Sequence, residues 1–196
     1  MQNVTTVITD SDIINQVIEG QINAFESLIT KYGDFVSRIV KKHIPCNEIE
    51  DVTQNAFIRI FQSLPMYKGT GEFRAWLSSI TVRTCYDYWR KAYKSREIPM
   101  NCITEDHQKW LENAVSKESL SLIHDKDSKR MATELLEWAL GKLSAEDRMI
   151  LELIYLEGRS GREVADLLGW SIANVKVRSF RLRKKLKSIL NSALNR

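Results

Sequence analysis

Seven Lys and Arg residues fall at positions 176, 178, 181, 183, 184, 185 and 187, with no Asp or Glu among them. On a helix, a step of about 100° per residue places Val175, Ser179, Leu182, Leu186 and Leu190 on one stripe, which must face a core. The opposite side carries Ala173, Val177, Phe180, Arg181 and Lys184, flanked by Lys176. A solvated charged helix has no use for Phe180 among its cations. A helix lying in a DNA major groove does, because apolar side chains meet thymine methyls while Arg and Lys meet guanine edges and phosphates.

The residues just before this helix would hold it in place. Ser160 and Glu163 form a capping-box signature, and Val164, Leu167 and Leu168 then give a short helix one apolar face. Gly169 suits the left-handed position that ends a helix, and Ser171 is a good N-cap for the next. Two helices joined by so short a turn make a helix-turn-helix.

A second group of residues points to nucleic acid by a different chemistry. Between 83 and 96 the sequence interleaves Arg83, Tyr86, Tyr88, Trp89, Arg90, Lys91, Tyr93, Lys94 and Arg96. Rings that stack on bases and cations that meet phosphates are what a single strand requires. The plainer alternative is a helix end whose rings complete a core and whose cations are solvated. Charge distribution favours the first reading. The net charge is only +4, yet residues 170–196 hold eight basic and no acidic side chains, and residues 83–96 hold five and one. Two basic blocks in an otherwise acidic chain fit two contacts with a polyanion.

The elements that must position these blocks are helices. Three prolines and eight glycines in 196 residues, with apolar spacings of three and four, predict an all-α protein of two small helical domains joined by a linker. Asp10 or Ser11 is expected to cap a short helix ending near Gly20. From Ile22 a helix runs to His43, with Phe25, Leu28, Ile29, Tyr32, Phe35, Val36, Ile39 and Val40 on its apolar side, and Pro45 closes it. Asn47 or Glu48 opens the next, whose buried stripe is Ile49, Val52, Ala56, Ile60 and Leu64. Asp51, Gln54 and Asn55 lie outside that stripe, with Phe57 and Phe61 beside it. After a PMYKGTGE loop, Phe73, Trp76, Leu77 and Ile80 begin the helix that carries the aromatic block. Residues 97–131 read as a polar linker with a short helix around Trp110 to Val115. Periodicity returns with Leu135, Leu136, Ala139, Leu140 and Leu143. Ser144 and Asp147 then cap a helix through Ile150, Leu151, Ile154 and Tyr155.

Several function classes find no support. Cys46, Cys85 and Cys102 are odd in number and far apart, so neither a disulfide framework nor a zinc site is indicated. His43 and Cys46 have ligand-like spacing without a second pair, which favours a satisfied side chain over a metal ligand. The first dozen residues lack a signal peptide's basic and apolar regions, and no stretch reaches membrane-spanning length, so a cytoplasmic protein is expected. No phosphate loop, deaminase motif or metal-site carboxylate cluster is present, so no catalytic residues, cofactor or metal are assigned.

Two blocks carry a family resemblance. The segment from Leu143 to Leu186, LSAEDRMILELIYLEGRSGREVADLLGWSIANVKVRSFRLRKKL, resembles the fourth conserved region of bacterial sigma-70 factors, with the spacing of the extracytoplasmic-function subgroup. The segment from Glu50 to Lys91, EDVTQNAFIRIFQSLPMYKGTGEFRAWLSSITVRTCYDYWRK, is similar to the second conserved region. The resemblance implies a sigma factor with region 2 in residues 1–96, a linker in 97–131 and region 4 in 132–196. Such a factor docks on core RNA polymerase, finds a promoter and helps melt it, and is commonly held by an anti-sigma partner. By the same resemblance Asp51, Gln54, Asn55 and Phe57 would bind the polymerase. Trp76, Arg83, Tyr86, Tyr88, Trp89, Arg90, Lys91 and Lys94 would take the minus-ten element as single strand. Lys176, Val177, Phe180 and Arg181 would read minus-thirty-five bases, with Arg178, Arg183, Lys184, Ser160 and Arg162 completing the duplex contacts. Asn55 stands where the family usually has an acid, and Arg83 where it often has Asn. A plain helix-turn-helix regulator is the alternative within DNA binding, and it leaves residues 83–96 unexplained.

Overall fold

A computed structural model describes residues 9–69, 71–95 and 138–194, with side chains to residue 188. Among them every regular element is helical. The amino-terminal unit comprises α1 (Asp10–Ile18), α2 (Phe25–His43), α3 (Ile49–Ser63) and α4 (Phe73–Ser95). The carboxy-terminal unit comprises a helical stretch at 138–141, α5 (Ala145–Ile150), α6 (Gly161–Leu168) and α7 (Ile172–Leu194). The expected linker, 97–131, lies outside the described residues, as do Leu135 and Leu136 and the side chain of Leu190.

Most sequence-predicted stripes are buried. Leu28, Val36 and Val40 on α2, Val52, Ala56 and Ile60 on α3, and Leu64 just beyond it are 0 to 4% exposed. Ile29 departs from the pattern at 41% exposed. Two helix starts also differ. Thr9 caps α1 in place of Asp10 or Ser11: its hydroxyl accepts from the Asp12 amide at 3.3 Å, and the Asp12 carboxylate accepts from the Thr9 amide at 2.9 Å. A single 3-10 turn, Ile22–Ala24, precedes α2, so the α-helix begins at Phe25 and not at Ile22.

The helix expected from Ser144 through Tyr155 changes character partway. Ser144 caps α5 by accepting from the Asp147 amide at 3.2 Å. From Leu151 to Leu156 the backbone widens into a π-helical turn. There Glu152 and Leu153, adjacent in sequence, are both buried, while Tyr155 turns out to solvent at 41% exposure. Such turns inside α-helices are uncommon and frequently mark functional positions.

The two units share one apolar core. α4 packs on α2 and α3 with one side and on α5 and α6 with the other. Leu77, Val82, Cys85 and Trp89 of α4 belong to the same cluster as Met149, Leu153, Val164 and Leu182. Gly169 ends α6 at φ 69°, and a Cβ there would sit 3.2 Å from the Arg83 guanidinium. Gly169→Ala should therefore cost about 1 kcal/mol or more, from the left-handed backbone alone. Denaturant midpoints of the two proteins check this, and equal midpoints would contradict it.

Candidate nucleic-acid interface

The helix-turn-helix forms as its sequence dictates. Ser160 accepts from the Glu163 amide at 3.3 Å, and the Glu163 carboxylate accepts from the Ser160 amide at 2.8 Å. The Ser171 hydroxyl accepts from the Asn174 amide at 3.2 Å and so starts α7. Val164, Leu168, Val175 and Leu182 seat the two helices on the core. Lys185 donates to Asp147 at 3.0 Å, which ties α7 to α5.

The outward face of α7 is the one described above. Val177 is 47% and Phe180 54% exposed, and Lys176, Arg181, Arg183 and Lys184 are exposed around them. The Lys184 ammonium lies 4.9 Å from the Phe180 ring centroid, a cation over an aromatic face. Ser160 and Arg162 are exposed at the start of α6. Arg178 is half-buried, held by the Asn174 side-chain oxygen at 3.0 Å and by the Trp170 ring at 5.2 Å.

The aromatic and basic block on α4 is divided between two environments. Arg90, Lys91 and Lys94 are exposed, and Arg90 also pairs with Asp87 at 3.3 Å. Arg83 reaches across to the carboxy-terminal unit and donates to the carbonyls of Leu167 at 2.9 Å and Asp166 at 3.2 Å. A cation placed on the last carbonyls of a helix meets the negative end of its dipole. The Tyr86 hydroxyl donates to Glu146 at 3.1 Å, and its ring stands edge-on to Trp170 at 5.6 Å. Tyr93 donates to the Leu140 carbonyl at 3.0 Å.

Trp89 departs from its expectation. Its ring has no exposed surface, its indole donates to the His43 carbonyl at 2.9 Å, and the Arg148 guanidinium covers it at 3.6 Å. In this arrangement it is a core side chain and cannot stack on a base. Tyr88 is half-buried against it, and burial, with Glu48 nearby, pushes its phenol up to about 12. Trp76 lies elsewhere on α4, stacked on Phe73 at 5.5 Å and beside Tyr67 at 5.0 Å. On α3, Asp51, Gln54 and Asn55 are exposed, Asn55 donates to the Asp51 carbonyl at 2.8 Å, and Phe57 packs its edge on Phe25.

Behind Trp89 lies a charged cluster that periodicity does not reveal. His43 faces Glu152 at 2.7 Å from Nδ1 and Glu157 at 3.2 Å from Nε2. Arg148 donates to Glu152 at 2.8 Å, and Arg159 to Glu157 at 2.6 Å. Burial opposes charge on His43, but the bonds to Glu152 and then Glu157 outweigh it and raise the imidazole to about 9. Burial likewise opposes charge on Glu157, yet His43 and Arg159 hold its carboxyl at about 2. His43 is thus a satisfied side chain, as its lone spacing suggested. The one trace of the cluster in the sequence is Glu152 inside the apolar run Met149–Leu156.

Two aromatic substitutions separate these roles. Trp89→Ala should cost about 3–5 kcal/mol of stability, whereas Phe180→Ser should stay within about 0.5 kcal/mol. Urea unfolding of both variants tests this, and a large loss from Phe180→Ser would make that ring structural.

Residues 28–95 match the family model for sigma-70 region 2, and residues 133–186 the model for sigma-70 region 4. Together these spans take in more than half of the chain. The ECF RNA polymerase sigma-E factor of Escherichia coli K12 is 27% identical over 192 residues, covering 96% of this chain and 98% of that protein. The sigma-E factor of Haemophilus influenzae is 25% identical, covering 92% and 95%. A solved structure of CnrH in complex with the cytosolic domain of CnrY is 24% identical, with a TM-score of 0.49 over 93% of this chain and 97% of that one. Among the described residues no helix is long and apolar enough to cross a membrane. With regions 2 and 4 in order and a helix-turn-helix at the second, the chain belongs to the sigma-70 family of RNA polymerase sigma factors, in its extracytoplasmic-function subgroup.

Proposed function

We propose that this sigma factor grips promoter DNA at two points while its α3 face is docked on core RNA polymerase in the cytoplasm. Residues 1–96 form the docking and minus-ten domain, 97–131 the linker and 132–196 the minus-thirty-five domain. The protein itself makes and breaks no covalent bonds; the polymerase does the chemistry. The observation that carries the reading is the half-exposed Phe180 and Val177 set among Lys176, Arg181 and Lys184. On an exposed helix face that pattern suits thymine methyls, guanine edges and phosphates in one groove.

Within α7, Lys176, Val177, Phe180 and Arg181 read bases, while Arg178, Arg183 and Lys184, with Ser160 and Arg162 of α6, hold the backbone. Trp76, Arg83, Tyr86, Tyr88, Arg90, Lys91 and Lys94 serve the displaced strand. For Arg83 and Tyr86 to do so, their bonds to α6 and Glu146 must first be released. Asp51, Gln54, Asn55 and Phe57 supply the polymerase contact, and an anti-sigma protein competes for the same surfaces.

Run-off transcription with core polymerase and genomic fragments tests the assignment directly: a promoter-dependent transcript is expected, and none would contradict it. On duplex DNA, Arg181→Ala should weaken binding in a sequence-dependent way. Lys184→Ala should weaken all sequences alike and reduce the slope of log affinity against log salt by about one. Equal losses on specific and random DNA from Arg181→Ala would remove Arg181 from the base-reading set.

A further inference from the structure

His43 ends α2, and its side chain is 2% exposed. Both of its ring nitrogens face carboxylates, Glu152 at 2.7 Å and Glu157 at 3.2 Å. Neither carboxylate belongs to the amino-terminal helices, so both contacts exist only while the carboxy-terminal unit is closed over α4. A neutral imidazole donates from one nitrogen and accepts at the other, whereas the imidazolium donates from both. With a carboxylate at each nitrogen, only the protonated ring satisfies the site. A neutral ring would set a lone pair against an oxygen anion in a buried space.

We infer that His43 is a proton-operated latch: closing the carboxy-terminal helices over α4 takes up one proton at His43, and losing that proton releases the 83–93 face. The step is a plain protonation, with imidazole gaining a proton from solvent as the units close. The groups around the ring come from several elements. Glu152 lies on the π-helical segment and Glu157 just after it. Arg148 of α5 bonds Glu152, and Arg159 bonds Glu157. From α4 come the buried Cys85 and Trp89, and Lys42 and Glu163 line the cleft beside Glu157 and Arg159.

A guanidinium is cationic throughout the pH range in which His43 changes. Glu157 is held near 2, while burial, with Glu152 adding to it, pushes the Cys85 thiol up. His43 is raised in the closed form to about 9 from an ordinary 6.5. A group raised on closing stabilises the closed form fully below its free value and loses that contribution as pH climbs to the closed value. The latch is therefore set below 6.5 and weakens from there to about 9. For one linked proton, the closed-to-open ratio falls by at most about tenfold per pH unit within that window.

The matching contacts at Arg83, Tyr86 and Trp170 make the released face the one assigned to the minus-ten strand. Only that consequence rests on the sigma reading. Closure is measured without DNA or polymerase, so its failure is distinct from the failure of the promoter assignment. The experiment follows the full chain by small-angle scattering between about pH 6 and about pH 9, with His43 monitored by proton NMR. Expansion is expected across the window in step with the His43 titration, and His43→Gln should abolish that pH dependence. A constant radius in the unmodified protein, or the same expansion in His43→Gln, overturns the latch. If His43→Gln loses its helical circular dichroism, Glu157→Gln decides. That variant should lower the His43 midpoint and the expansion together by about one pH unit, and an unmoved midpoint overturns the proposal.

Discussion

α4 is buried from two sides, and the arrangement of the other helices follows from that constraint. One side meets α2 and α3; on the other Arg83 bonds α6, Tyr86 bonds Glu146 of α5 and Tyr93 bonds Leu140 in the 138–141 stretch. A helix covered on one side shows a single apolar stripe, whereas one covered on two carries large side chains at consecutive positions. Tyr88 and Trp89 are adjacent for that reason. Trp89 sits where the two sides join, reached by the His43 carbonyl from α2 and the Arg148 guanidinium from α5.

The two units share an apolar core, and polar and charged contacts at Arg83, Tyr86 and His43 add to it. Charges removed from water cost several kcal/mol each unless paired, and removing one partner of a buried pair costs about 3–5 kcal/mol. Here the charges interlock: Arg148 and His43 share Glu152, and His43 and Arg159 share Glu157. Such a network closes only in one register. An apolar contact of the same area would hold the units together but would specify their relation less sharply and would not respond to pH. Arg83 on the α6 carbonyls has the same character, a strong bond that ligand or solvent can replace.

What the sequence reveals and what it conceals divide along contact range. The capping box at Ser160 and Glu163, the left-handed Gly169, the Ser144 cap and the apolar stripes of α2 and α3 are interactions within a few residues, and each leaves a local pattern. The exposed face of α7 was legible for the same reason, since helical period alone puts Phe180 opposite Leu182. Arg83 bonds a carbonyl 84 positions away and His43 a carboxylate 109 positions away. Contacts of that range leave no periodic trace, so Trp89 read as a base-stacking ring. The π-helical turn was hidden too, because Leu151, Ile154 and Tyr155 fit an ordinary helical spacing and only the buried Glu152 breaks it.

We propose two uses for one surface: the Arg83 to Tyr93 face of α4 closes the free protein and opens to meet the minus-ten strand. The most direct measurement is an interspin distance between labels at Asn15 on α1 and Lys187 on α7, both exposed, in a chain whose accessible cysteines have been replaced. The free protein near neutral pH should give one short, narrow distribution, and addition of core RNA polymerase should replace it with a longer one. An unchanged distribution on polymerase binding would contradict the account, because Arg83 and Tyr86 would then still be bonded to the carboxy-terminal unit.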